Sequence, residues 1–177
     1  NNPRGAPAQA AAAVTALVEG ISRSVSIEVA KDLDAHGPDW GSSHGPRLKK
    51  GTDLVAAILS DLKSRQYKDT GDTWFDHTTV VCFSEFGRST LINTSGGRDH
   101  FLHNACVLAG GGIRGGRVLG ASSDVGMSPQ KVDLQTGDLD PEGTVVKPEH
   151  VFRALMVRAG IETDDAELGV EPYAALL

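Results

Sequence analysis

Cysteine is scarce in this sequence, with Cys82 and Cys106 the only two among 177 residues. A single pair in a chain of this size makes no disulfide framework, and both lie inside apolar runs, where a thiol reads as a small buried hydrophobe on a strand. Long apolar runs are missing as well. None approaches the roughly 20 residues that span a bilayer, so no membrane span is expected. Basic charge is in deficit, with 17 Lys+Arg against 23 Asp+Glu and a formal net charge of -6. The one basic cluster, Arg47, Lys49 and Lys50, is too short to be an electrostatic footprint, which excludes nucleic acid as the expected partner. The chain opens Asn1-Asn2-Pro3, with neither an initiator Met nor the basic and apolar regions of a signal peptide. The expectation is that something upstream has been removed, either a targeting peptide or a larger part of the protein.

What is present suits a globular chain. Hydrophobic residues make up 40% and charged residues 23%, close to the averages for soluble domains. A chain of this length can bury about 70% of the surface its unfolded form exposes, so a core needs no staples. Val14, Leu17, Val18 and Ile21 recur at helical spacing, predicting a helix over 8–20 closed near Gly20. Ser24 to Val29 alternates polar and apolar residues, the pattern of a strand. Asp32, Asp34, His36, Asp39 and His44 then stand among Gly37, Pro38, Gly41, Gly45 and Pro46. Such punctuation predicts an irregular loop dense in potential ligands.

Val55, Ile58, Leu59 and Leu62 follow the i, i+3, i+4, i+7 rule, predicting a helix from about Thr52 to Ser64. Thr78 to Phe83 and Ala105 to Ala109 are nearly continuous apolar runs, expected of strands buried on both faces of a parallel sheet. Arg117 to Leu119 reads as a short strand. Lys131 to Leu134 and Thr144 to Val146 read as a surface hairpin elaborating the sheet. A last helix starts at Pro148, shows Val151, Leu155 and Met156 on one face and stops at Gly160, with the tail from Glu162 to Leu177 docked behind it. Strands separated by a long helix indicate α/β architecture.

In open α/β sheets, ligands bind beyond the carboxyl ends of the strands, and three polar clusters fall at such positions. Asp34-Ala35-His36 pairs a carboxylate with an imidazole. Glu85 follows a buried strand directly, where an ionised carboxylate is costly unless it meets a cation; an ion pair with Arg88 is the plain explanation. Gly97-Arg98-Asp99-His100, with His103 beyond it, again combines carboxylate and imidazole. Asp34, His36, Glu85, Asp99 and His100 together form a mixed nitrogen and oxygen set that suits zinc, manganese or a similar divalent ion, with too much imidazole for calcium.

Other signals carry less. Gly110, Gly112 and Gly115 satisfy G-x-G-x-x-G after a strand, yet an extended segment follows where a dinucleotide site needs a helix. Asn93-Thr94-Ser95 matches a glycosylation acceptor that chance supplies often. No G-x-S-x-G elbow is present, and no serine stands with a base. His77 and His150 read as solvated.

The run Val80-Val81-Cys82-Phe83-Ser84-Glu85-Phe86-Gly87-Arg88-Ser89, then Gly96-Gly97-Arg98-Asp99-His100, then Leu108 to Gly116, resembles a functionally uncharacterised bacterial family. That family belongs to the alkaline phosphatase and sulfatase-like superfamily, and many of its members carry twin-arginine export signals. The resemblance runs from about Ser24 to the C-terminus and covers the second half of such a catalytic domain. It implies a three-layer α/β/α sandwich, of which this chain is either the C-terminal half or a single domain by itself. It also implies periplasmic or secreted location and metal-dependent hydrolysis of phosphate or sulfate esters, small or polymeric. Asp34, His36 and His100 then resemble metal ligands, with Asp99 beside them, while Glu85 and Arg88 are the expected catalytic pair; Arg88 or Arg98 would hold substrate oxygens. The superfamily nucleophile belongs to the first half, so a missing N-terminal segment of the same protein is an expected partner. Two departures matter. Phe86 stands where the superfamily has a histidine and Ala35 where the family has threonine, which weakens or removes a second metal. A non-catalytic, metal-binding assembly module is the alternative.

Overall fold

The computed structural model describes residues 4–161 and 169–177. The fold is mixed α/β, with helices and small antiparallel sheets, in two compact units, Asn1–Cys106 and Val107–Leu177.

The first unit begins with helix α1, Ala6–Val18, whose first turn accommodates Pro7 and whose end is closed by Gly20 at φ 68°. Its Ala10, Ala13 and Val14 are buried and α1 packs on α2. Helix α2, Gly45–Ser64, starts seven residues' worth of chain earlier than the apolar spacing predicts, at Gly45 where Thr52 was expected. Pro46 sits in its first turn, where its missing N–H costs nothing. The preceding Trp40–His44 forms a π-helical turn, so the expected loop is irregular over residues 32–39, as its punctuation predicts, and helical only in its last turn. Leu62 is fully buried, and Lys49–Asp53 and Arg65–Asp61 pair one turn apart along the exposed face.

Ser24 to Val29 is not a strand. Residues 24–36 join no ladder, and the alternating pattern alone cannot hold a strand without a partner edge. The segment lies against α2 instead. A Cβ on Gly51 would stand 2.8 Å from the Ala30 Cβ and 3.2 Å from the Val29 carbonyl oxygen, so only glycine allows this approach. That contact carries the chain into Asp34 and His36.

A 3-10 turn, Trp74–His77, precedes strand β1, Thr79–Cys82, which is half-buried along its length rather than buried on both faces, with Phe83 exposed beyond it. Cys82 is likewise half-buried and Cys106 exposed, against the expectation that both are core residues. Strands β2, Gly87–Arg88, and β3, His100–Phe101, pair antiparallel, with Gly87 opposite Phe101 and Arg88 opposite His100. Ser89 N–H donates to the Asp99 carbonyl at 2.9 Å, continuing the pairing toward the loop.

In the second unit, strand β4 spans Val107–Gly110 and the segment Arg117 to Leu119 forms no strand, leaving Val118 exposed. The glycine turn after β4 leads into extended chain, with Gly110 and Gly112 at φ 105° and 76°. Strands β5, Lys131–Val132, and β6, Thr144–Val145, pair antiparallel as expected. They are no surface elaboration: Val132 and Leu134 form the core with Ala154, Tyr173, Ala175 and Leu176. Helix α3, Pro148–Arg158, supplies Ala154, and Gly160 at φ 69° follows its end. His150 is buried rather than solvated, because its Nδ1 accepts the Lys147 N–H at 2.9 Å and caps the helix start. Of the tail expected to dock, residues 162–168 lie outside the described residues. Its last turn, Ala174–Leu176, is docked through Tyr173 N–H to the His150 carbonyl and Ala175 N–H to the Leu134 carbonyl, each 3.0 Å. Among the described residues no helix is long and apolar enough to cross a membrane.

Candidate metal centre

Two pieces of the first unit meet to form one polar cluster. One is the unpaired segment ending in Asp34-Ala35-His36; the other is the β2–β3 hairpin with its loop. Cross-strand pairing sets Arg88 beside His100 on one face of the hairpin. The loop is folded by Asn93, whose Oδ1 accepts N–H bonds from Ser95 at 2.9 Å and Gly97 at 3.0 Å, an Asx turn. Arg98 N–H then donates to the buried Ala35 carbonyl at 3.0 Å, and Asn93 Nδ2 donates to the His36 carbonyl at 3.2 Å. Gly97 lies directly on the His36 backbone, where a Cβ would collide.

These contacts bring three donor atoms to one point. Asp34 Oδ1 lies 2.9 Å from His36 Nε2 and 3.0 Å from His100 Nε2, and the two imidazole nitrogens are 3.0 Å apart. Asp34, His36 and His100 are the group whose ligand atoms all fall within 4.8 Å of one another, and all three are exposed. The rings are fixed from behind. His36 Nδ1 faces Asp99 Oδ1 at 2.9 Å, and since a carboxylate can only accept, this nitrogen donates to it and the bond sets the ring's orientation. Asn93 Nδ2 donates to the same Asp99 oxygen at 2.8 Å. Bonds from His36 and then Asn93 hold the Asp99 carboxyl below the usual carboxylate range. Phe86 stacks on His100 with ring centroids 3.9 Å apart.

Arg88 Nη2 donates to Asp34 Oδ1 at 2.6 Å, and this bond, followed by one from His100, pulls the Asp34 carboxyl well below the usual range. The sequence had paired Arg88 with Glu85. Glu85 is instead exposed just before β2 and is not among the ion pairs of the described residues, while Arg88 pairs with Asp34. Asp99 stands behind His36 rather than with the converging donors. Arg98 ties into the loop: its Nη1 donates to the carbonyls of Ser89 and Thr90, and its guanidinium lies over the Trp40 ring at 5.0 Å. His44, beside Trp40, has its imidazole pushed toward the neutral form by burial, with Arg88 adding to the effect.

A family model described as "Protein of unknown function (DUF1501)" matches residues 2–145. This chain belongs to the DUF1501 family. All of the DUF1501 residues in the cluster, from Asp34 to His100, fall inside the matched span. No curated protein and no solved structure matches the chain.

Asn93 is the functional residue that sequence reasoning missed, having been weighed only as a glycosylation acceptor. Its signal was the run Asn93-Thr94-Ser95-Gly96-Gly97, an asparagine ahead of two glycines, which is turn chemistry.

Proposed function

We propose that Asp34, His36 and His100 hold one divalent metal ion, zinc or manganese, in a hydrolase of phosphate or sulfate esters built on a three-layer α/β/α sandwich. The observation that carries the metal reading is the meeting of two imidazole nitrogens and a carboxylate oxygen about Asp34 Oδ1. Such a donor set fits a borderline-soft divalent ion better than calcium or magnesium. A bound ion of this kind acts as a Lewis acid on ester oxygens and lowers the pKa of a coordinated water. Asp99 accepts from His36 Nδ1 and orients the ring, so that Nε2 would be the nitrogen turned to a bound ion. Phe86 packs against His100 and fixes its ring plane, where the superfamily pattern would supply another ligand. The ester chemistry and the periplasmic or secreted setting rest on resemblance of the Ser-Glu-Phe-Gly-Arg and Gly-Arg-Asp-His segments to the sulfatase-like family. Phe86 favours one ion over two, and it is also the observation behind a second reading, a metal-holding assembly module without hydrolysis.

Metal content by inductively coupled plasma mass spectrometry tests the site. About one ion per chain is expected, lost in both His36→Ala and His100→Ala. Absence of metal from the purified, zinc-exposed chain would refute the site. Release of nitrophenol or nitrocatechol from aryl phosphates and sulfates by the complete protein separates hydrolase from assembly module.

A further inference from the structure

Asp34 Oδ1 is claimed twice. It is the oxygen that the two imidazoles face, and it also accepts the shortest of these contacts, from Arg88 Nη2 at 2.6 Å. The other Arg88 donor, Nη1, lies 3.4 Å from His36 Nε2. One guanidinium therefore touches two of the three converging donor atoms, and a divalent ion on those atoms would meet a fixed positive charge at contact distance.

Resting on the metal reading above, we propose that Arg88 is an internal competitor for Asp34, displaced by the metal ion and then available to a tetrahedral oxyanion. Metal and oxyanion consequently bind with positive coupling. The bond to be displaced is open on its acid side: the Asp34 side chain is 67% exposed, so water screens the pair and an ion can reach its oxygens. The guanidinium itself is held in place. Its side chain is only 13% exposed, Nη1 donates to the Arg98 carbonyl at 3.1 Å and its Cζ lies over the Phe86 ring, 5.5 Å from the centroid. Losing Asp34 would leave Nη2 uncommitted on a largely desolvated cation, which favours an anion able to accept a charge-assisted bond.

Zinc affinity measured by competition with a chromogenic chelator tests the proposal, using wild type, Arg88→Ala, Arg88→Gln and Arg88→Lys in chloride and in sulfate at matched ionic strength. Removing the competitor is expected to tighten zinc binding in chloride about fivefold, the scale of an exposed ion pair, in both neutral variants. Arg88→Lys, which keeps the cation, stays near wild type. Sulfate is expected to tighten zinc binding by wild type and to leave the neutral variants unchanged. Zinc binding that is equal or weaker in Arg88→Ala and Arg88→Gln would make Arg88 a positioning residue for Asp34 and overturn the competition. An equal sulfate effect in all proteins would overturn the coupling. No zinc bound by wild type overturns the metal reading together with this one, whereas zinc bound by wild type with unaltered neutral variants overturns this one alone. Arg88→Gln retains a donor for the Arg98 carbonyl, so it serves if Arg88→Ala fails to fold.

Discussion

Gly97→Ala is the most demanding perturbation of the cluster that changes no charge and no donor. The added methyl would stand 2.5 Å from the Gly37 nitrogen and closer still to the His36 carbonyl. Non-bonded carbon contacts settle near 3.5 Å, so the backbone at His36 must move by more than about 1 Å. Overpacking of this kind typically costs about 1–3 kcal/mol, which at this chain length lowers the unfolding midpoint by roughly 2–4 °C per kcal/mol. The larger consequence falls on the site, since His36 Nε2 meets Asp34 and His100 within 3.0 Å and tolerates no such shift. Displaced ligands or their supports usually cost about 10- to 100-fold in metal affinity. Gly41→Ala is the control, because nothing lies within 4 Å of its added methyl and its φ is not positive. Zinc titration and thermal melts of both variants decide the matter. A Gly97→Ala protein with the wild-type midpoint and zinc affinity would refute the account of how the loop positions His36.

Two further outcomes are expected. Asp99→Ala should weaken zinc binding about 10- to 100-fold at unchanged stoichiometry, because the variant leaves nothing at this position to accept from His36 Nδ1 and orient its ring; an unaltered titration would remove Asp99 from the site. Asp76 bonds the Thr73 hydroxyl at 2.6 Å and the Thr73 N–H at 2.8 Å, chiefly the first of which holds its carboxyl below the usual range. The stability this gives is present above the ordinary carboxylate pKa and is lost as pH falls through the lowered one. Melting midpoints of wild type and Asp76→Asn should therefore differ at neutral pH and converge below about pH 4, and a gap that persists or widens in acid would contradict the assignment.

Periodicity carried the long helices, because an amphipathic face is a local property. Val55, Ile58, Leu59 and Leu62 located α2, although its first turns over Gly45 to Gly51 carry no apolar stripe and were invisible. Pairing was far less legible. Ser24 to Val29 looks like a strand, yet whether it gains a partner depends on where Gly51 lets it lie. His150 read as solvated because helix-capping by a side chain three residues inside the helix leaves no mark on hydropathy. In the site, Asp34, His36 and His100 were visible as residue types with suitable spacing, whereas their sorting from Asp99 and Glu85 needed coordinates. Both carboxylates meet His36, Asp34 at Nε2 and Asp99 at Nδ1, and only Asp34 also meets His100. Arg88 was assigned to Glu85 because they are near in sequence; the register opposite His100 turns it toward Asp34 instead.

The separation of the two halves of the cluster has a consequence for the polymer as a whole. His36 and His100 are 64 positions apart, and the first sits on chain that no ladder holds. A durable tie between them closes a loop of that length, and a covalent cross-link of the same span would lower the chain entropy of the unfolded state by about 4 kcal/mol at room temperature. An ion held at the junction of Asp34, His36 and His100 would thus also be a clasp on the first unit, and its departure would loosen the path from residue 36 to residue 100 all at once.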